Sequence, residues 1–363
     1  MRLLFTIPDF WPFVRRGSER LVHDLGVVMA RRGHDVTVLT RTPAPAAVTT
    51  REEGFTVEYH PVPRLAHRAL GLNTLQEFAL TAARKALTDP HDVHHAFYIS
   101  DAYGLTLAAR ARPRPVVFSW HGVPDAAWWD ANEPRTHRWY RRMMGRAARV
   151  SVMSERSAAN YRRDYGRDPL VLTPGIFCDD FARPRVQGPP TIVCAAAIDD
   201  PRKRMDVLLK AFHEVASSDA DVELVLAGRG DPAALRPLLD ALPPRVRGRV
   251  HLDPETPLPE TYARAAVGVL ASEVEAFGLV VLEYLAAGLP VVVSDDGGSA
   301  DLVTPETGAI FTRGDPADCA RAIVEGLELS RNPATIGRCT GRARTYDWSA
   351  RADAYEALYR SLV

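Results

Sequence analysis

A chain of 363 residues with 46% hydrophobic content is long enough for two domains with ordinary cores. Its 45 basic and 45 acidic residues cancel, so no global field points to nucleic acid or an acidic surface. The four cysteines, Cys178, Cys194, Cys319 and Cys339, have neither metal-ligand nor redox spacing, and Leu3–Ile7 is too short for a signal peptide or membrane span. These features predict a reduced cytoplasmic enzyme.

Arg2–Ile7 reads as a buried strand, Pro8–Pro12 as a loop, and Arg16-Gly17-Ser18-Glu19 as the start of a helix running through Ala30. Gly33-His34-Asp35 then leads to a strand over Val36–Thr40. Strand, glycine-bearing turn, helix and strand begin a parallel α/β sheet. Gly17 in the first turn lets a ligand approach the backbone at the carboxyl edge of that sheet, or is simply a turn glycine. Strands at Thr56–Pro61 and Val93–Phe97 and a helix at Leu75–Leu87 continue the pattern. The strand Pro115–Trp120 ends in His121-Gly122, which places His121 at the carboxyl edge, where open α/β sheets bind ligands. The alternative is a histidine satisfied by backbone carbonyls, and His94 and His95 are read as structural.

Pro134–Val150 is predicted as an amphipathic helix. Arg135, Arg138, Arg142, Arg146 and Arg149 form a basic stripe beside an apolar one of Trp139, Met143, Ala147 and Val150. The stripe is either a solvated face or a contact for an anionic partner, such as a phosphorylated acceptor or an acidic membrane surface. A strand at Val150–Ser154, a helix to about Tyr165 and a strand at Pro169–Leu172 follow. Arg185–Pro190 has linker composition, and the interdomain hinge is expected there.

Thr191–Ala196 restarts the α/β pattern. The loop Asp199–Arg204 brings Arg202, Lys203 and Arg204 to the carboxyl end of that strand, ahead of a helix over Met205–Ala216. Cations there can neutralise a departing diphosphate, although a basic loop is also commonly just solvated. Lys203 stands out because the chain has only Lys85, Lys203 and Lys210 as lysines. Strands at Val222–Ala227, Arg249–Leu252 and Val267–Ala271 lead to Ala271–Gly298, the stretch with the most chemical content.

In this stretch Glu275 and Glu283 are separated by seven residues, with Phe277-Gly278-Leu279 between them. Leu279–Ala287 reads as a helix stopped by Gly288-Leu289-Pro290, so Gly278 precedes a helix N-terminus whose free amides and dipole favour an anion. From Gly278 to Glu283 a helix covers about 7–8 Å, the span of a diphosphate. A carboxylate at each end of such an anion suits a nucleotide sugar, because carboxylates accept hydrogen bonds from ring hydroxyls. Two glutamates at this spacing also occur by chance, but an acid in an otherwise apolar helix is costly to bury without partners.

The segment resembles the E-x7-E motif of retaining glycosyltransferases of the GT-B fold, closest to family 4. Ser272, Phe277-Gly278-Leu279, Ala286-x-Gly288-x-Pro290 and Gly297-Gly298 extend the match. The resemblance implies two Rossmann-like domains facing each other across a cleft: an acceptor domain at residues 1–184, a donor domain at 185–345, and a terminal segment, 346–363, crossing back. It implies retaining, metal-independent transfer of a sugar from a nucleoside-diphosphate-sugar, of UDP or GDP type, to an acceptor hydroxyl, with no further cofactor. Glu275 would bind donor-sugar hydroxyls, Glu283 the ribose, and the backbone of Phe277, Gly278, Leu279 and Val280 the sugar and diphosphate. Lys203 carries the family's phosphate-binding role, and His121 would lie beside the sugar.

Three departures stand out. Arg16 replaces the first glycine of the family's G-G-x-E opening, leaving Gly17; Pro174 replaces an asparagine in the P-N-G turn; and Ala196-Ala197 lacks the usual glycine-arginine, for which Arg202 is the expected substitute. The expected acceptor is a small molecule, a glycan or a lipid-linked sugar. No nucleic-acid partner and no metal are expected, and localisation is cytoplasmic, with peripheral contact at the inner membrane face through the arginine stripe left open. An epimerase or hydrolase on the same scaffold, or a non-catalytic sugar-nucleotide-binding relative, is the alternative.

Overall fold

The computed structural model describes residues 1–14, 16–61, 74–123, 125–219 and 221–363. The chain divides into two compact units, one of Met1–Gly175 with Arg351–Val363 and the other of Ile176–Ala350.

The first unit is built on an eight-stranded sheet in the order β3-β4-β2-β1-β5-β6-β7-β8. Its strands are β1 (Arg2–Thr6), β2 (Asp35–Thr42), β3 (Val48–Glu52), β4 (Phe55–Pro61), β5 (Val93–Ala96), β6 (Val116–Trp120), β7 (Arg149–Val152) and β8 (Leu170–Val171). All neighbours run parallel except β3, which pairs antiparallel with β4 across the turn at Glu53-Gly54, where both residues have positive φ. The central strands are apolar on both faces because helices cover both: Leu3, Leu4 and Phe5 are wholly buried, as are Val117 and Phe118 to within 1%. β3 was not expected from the sequence. Its signal is short: a run of β-branched residues before a Glu-Gly turn.

The predicted helix over 134–150 is also shorter, ending at Met144 with Gly145 as its cap. The amide of Ala148 donates to Val116 O, and Arg149 and Val150 align with Val117 and Phe118 in the sheet. Sheet pairing therefore overrides helical periodicity after residue 144. Arg135, Arg138 and Arg142 lie exposed on the helix; Arg146 and Arg149 are exposed too, but beyond its end. The five do not form one helical stripe.

The terminal helix Trp348–Arg360 supplies the last residues of the first unit. Arg32 pairs with Asp353 (2.6 Å) and Glu356 (2.7 Å), His34 with Glu356 (3.2 Å), and the Tyr359 hydroxyl with His95 Nδ1 (2.7 Å). The first division between units falls at Gly175–Ile176, ahead of the 185–190 linker. Ile176 donates to Tyr346 O and bridges Asp347, so the chain enters the second unit before it reaches the linker-like sequence.

The second unit carries a six-stranded, fully parallel sheet in the order β11-β10-β9-β12-β13-β14. The strands are β9 (Thr191–Cys194), β10 (Glu223–Leu226), β11 (Val250–Leu252), β12 (Val267–Leu270), β13 (Val291–Ser294) and β14 (Gly308–Phe311). Helices Met205–Ser218 and Pro316–Ser330 pack on it through Leu208, Phe212, Cys319 and Ile323, each wholly buried. The sheet order changes direction at β9 and β12, and the loops after these two strands carry the charged residues singled out above. Among the described residues, no helix is long and apolar enough to cross a membrane.

Candidate active site

β12 runs out into the loop Ala271–Gly278, which the neighbouring loops pin residue by residue. The Glu273 amide donates to Arg202 O (2.8 Å), and the Val274 amide to Asp296 Oδ2 (3.0 Å). Glu275 forms an isolated parallel bridge with Gly297, and Gly298 donates to its carbonyl (2.8 Å). Val274 is held at φ +56°, in the left-handed region. For a β-branched residue this costs about 1–3 kcal/mol, which the surrounding hydrogen bonds offset. Gly297 is required: a Cβ there would lie 2.0 Å from Glu275 O, at a φ of +98°.

Gly278, at φ +88°, turns the chain into the helix Leu279–Ala286. No side chain among the described residues caps this N-terminus, so the amides of Leu279 and Val280 point ahead of the helix with its positive dipole end. Phe277 turns its ring inward, 3% exposed and edge-on to Tyr346, leaving only its backbone to the loop.

Across from this loop, Pro201–Lys203 forms a short 3₁₀ turn after β9, capped by Asp200, whose Oδ1 accepts from the Arg202 amide (3.0 Å). Lys203 Nζ reaches Glu275 Oε2 at 2.8 Å, and each side chain is about a fifth exposed (21% and 22%). The Arg202 guanidinium folds back onto Asp200 (2.6 Å), which raises its pKa chiefly through that hydrogen bond. Arg202 thus stands at the edge of the cluster, its exposed guanidinium on Asp200. Arg204, itself at φ +49°, forks onto Asp206 with both contacts at 2.9 Å and also contacts Glu273. Asp206 is held below the usual carboxylate range, first by that hydrogen bond.

Glu283 lies on the buried side of the 279–286 helix, 6% exposed, and accepts from the Tyr262 hydroxyl at 2.9 Å. Tyr262 is stacked on Phe181 and wholly buried. This partner offsets the cost of an acid in an apolar helix. No local spacing pointed to Tyr262, which comes from a helix outside the motif. The Arg204–Glu273 and Asp296–Val274 contacts were likewise not anticipated. Arg204 and Asp296 lay within stretches already singled out, and only the fold pairs them.

The structure therefore gathers Glu275, Lys203, Phe277, Gly278, Leu279, Val280 and Glu283 in the second unit, with Arg202 at their border. His121 and Gly17 belong to the first. Gly17 is exposed at the first turn of the helix Gly17–Arg31, and Arg16 caps it: the Arg16 amide donates to Glu19 (3.1 Å), and its guanidinium pairs with Glu19 (3.0 Å) and Asp9 (3.2 Å). Asp9 also takes Arg41 at 2.7 Å.

His121 follows β6 half-buried, its Nδ1 without a hydrogen-bond partner among the described residues and its ring 5.4 Å from that of Phe97. Burial lowers its pKa to about 4, so it is neutral at physiological pH. His95 is fully tied, Nδ1 to Tyr359 and Nε2 to Ser119, each at 2.7 Å. His94 is buried with neither nitrogen partnered among the described residues, and burial lowers its pKa to about 4. Among the described residues there is no cluster of three or more histidine, cysteine, aspartate or glutamate side chains placed to hold a metal ion.

Two family models match the chain: "Glycosyltransferase Family 4" over residues 15–179 and "Glycosyl transferases group 1" over residues 189–328. The chain is 28% identical to a phosphatidyl-myo-inositol mannosyltransferase of Mycobacterium leprae, over 95% of this chain and 93% of that protein. It is also 28% identical to D-inositol 3-phosphate glycosyltransferase 1 of Catenulispora acidiphila, covering 92% and 88%. Among solved structures, a sucrose-phosphate synthase from Thermosynechococcus elongatus superposes with a TM-score of 0.83 at 19% identity, covering 99% of this chain and 98% of that one. Anabaena HepE in complex with UDP-glucose superposes at 0.78 with 18% identity and full coverage of both chains. These likenesses identify the fold as GT-B.

Proposed function

The chain belongs to glycosyltransferase family 4 and is a glycosyltransferase, and from that premise we propose that it transfers a sugar from a nucleoside-diphosphate-sugar to a hydroxyl of a phosphorylated polyol, with retention and without a metal ion. The observation that carries the donor assignment is the Lys203–Glu275 pair, set beside the uncapped helix start at Gly278. A cation and a helix N-terminus without a side-chain cap are the elements that take up a diphosphate. Glu275 takes the sugar hydroxyls and Glu283, oriented by Tyr262, the ribose.

In the transfer step the acceptor oxygen bonds to the anomeric carbon as the bond from that carbon to the diphosphate oxygen breaks. The bonding pair leaves with the diphosphate, and the acceptor proton passes to the departing phosphate oxygen on the same face. Lys203 and the amides of Leu279 and Val280 carry the charge that a divalent ion would otherwise neutralise.

The acceptor class is supported by the relatives, whose names share an inositol bearing a phosphate, free in one and lipid-linked in the other. The exposed Arg135, Arg138 and Arg142 are suited to an anionic membrane surface where such a lipid resides.

The test is incubation of the purified enzyme with UDP- and GDP-activated sugars and either inositol phosphate or phosphatidylinositol, with and without EDTA, and NMR assignment of the product anomer. A product retaining the donor configuration, formed equally with EDTA, supports the assignment. An inverted product, an absolute metal requirement, or donor consumption that ignores the acceptor overturns the corresponding part.

A further inference from the structure

At the carboxyl edge of the second sheet, four of the described cations each have an acidic partner. Arg202 is on Asp200, Arg204 on Asp206 and Glu273, Arg313 on Asp296, and Lys203 on Glu275. The first three pairs are structural: Asp200 and Asp296 also hold the backbone amides of Arg202 and Val274, and Asp206 is gripped by both the Nε and Nη2 of Arg204. The fourth differs. The backbone of Glu275 is fixed by Gly297 and Gly298, while the contact of its carboxylate among the described residues is Lys203 Nζ. The two side chains can part without moving the loop, and each is partly open to solvent.

We infer that this ion pair is a latch that distinguishes the intact donor from the spent nucleotide. The inference rests on the donor site assigned above. An incoming diphosphate draws Lys203 away and leaves a carboxylate without its cation. When a sugar is attached, its hydroxyls take up Glu275, so both groups are satisfied at once. When the sugar has been transferred, Glu275 has only Lys203 to return to, and it competes directly with the diphosphate for that cation. The same contact that fixes Lys203 in the empty site therefore weakens the hold on nucleoside diphosphate alone and favours its release.

The competition predicts that one variant separates the affinities of two ligands. Glu275→Gln keeps the side-chain shape and removes the charge. Titration calorimetry with UDP and GDP, and with UDP-glucose and GDP-mannose, reads the result on wild type and variant after matched melting temperatures establish that both are folded. The variant should bind the nucleoside diphosphate about two- to fivefold tighter, the range expected for freeing a partly exposed ion pair. It should bind the corresponding nucleotide sugar at least threefold less tightly relative to the diphosphate than wild type does. The gain should vanish in the double variant with Lys203→Met.

Equal or weaker nucleoside-diphosphate binding by Glu275→Gln, or a gain that persists without Lys203, overturns the latch while leaving the donor site standing. Absence of binding of either nucleotide to both proteins overturns the donor site and the latch together.

Discussion

The two sheets end in opposite kinds of chemistry. Around the carboxyl edge of the second, charges are matched in pairs and partly open: Lys203 with Glu275, Arg202 with Asp200, Arg204 with Asp206 and Glu273. In the first, beside the ion pairs of Asp9 with Arg16 and Arg41, a group of titratable side chains is buried and kept uncharged. Burial lowers His94 and His121 to about 4 and His95 well below its usual value, and it raises Asp101, which is bonded to Thr6 (2.6 Å), well above the usual carboxylate range. The second unit gathers paired charges at its edge, and the first holds a set of buried, uncharged histidines and an acid beside the partly exposed Arg16–Asp9–Arg41 cluster.

The largest effect that tests this contrast is loss of transfer on breaking the charged edge. Glu275→Ala or Lys203→Ala should lower kcat/KM by about two to four orders of magnitude, with a melting temperature within a few degrees of wild type. An active, folded Glu275→Ala enzyme would remove the donor role. Next comes the backbone support of that edge. Gly297→Ala forces a Cβ against Glu275 O, and it should lower both transfer, by about tenfold or more, and stability, by about 1–3 kcal/mol in chemical denaturation. Unchanged activity in a protein of normal stability would show that the position of Glu275 does not depend on this bridge.

The buried histidines of the first unit make a different prediction, in acid. His94 has a folded pKa depressed to about 4, below its unfolded value of about 6.5. The unfolded chain therefore binds a proton that the folded chain refuses. Stability is complete above pH 6.5 and is lost as the pH falls toward 4. Replacing His94 by leucine should flatten this part of the stability–pH curve by on the order of 2–3 kcal/mol between pH 7 and 4; an identical slope in the variant would mean that His94 is not held neutral. The smallest effect concerns the surface. Reversing Arg135, Arg138 and Arg142 to glutamate should abolish sedimentation with phosphatidylinositol vesicles at low salt while leaving nucleotide binding unchanged, and wild type that fails to sediment at any salt removes membrane contact through these residues.

Much of the second unit was legible because its information is local. Strands such as Val291–Ser294 are continuous apolar runs, the motif glycines sit where positive φ or close approach demands them, and Glu275, Gly278 and Lys203 lie on adjoining loops. Partnerships set by tertiary packing were not legible. Nothing near Glu283 in sequence announces Tyr262, and the Asp200 that occupies Arg202 is no different in type from the acids elsewhere in that loop. The overrun of the helix after Met144 has the same origin: the periodicity of 134–150 is helical, but a free edge of β6 claims Arg149 and Val150 first. β3 escaped notice because an exposed, five-residue edge strand has little hydrophobic signal to show.

The most direct measurement is a crystal structure with a bound nucleoside diphosphate, UDP or GDP. The β-phosphate is predicted to lie within hydrogen-bonding distance of the Leu279 and Val280 amides and of Lys203 Nζ, with the ribose hydroxyls on Glu283. Nucleotide bound with its phosphates away from the helix start at Gly278, or with Lys203 still closed on Glu275 and untouched by phosphate, would contradict the account.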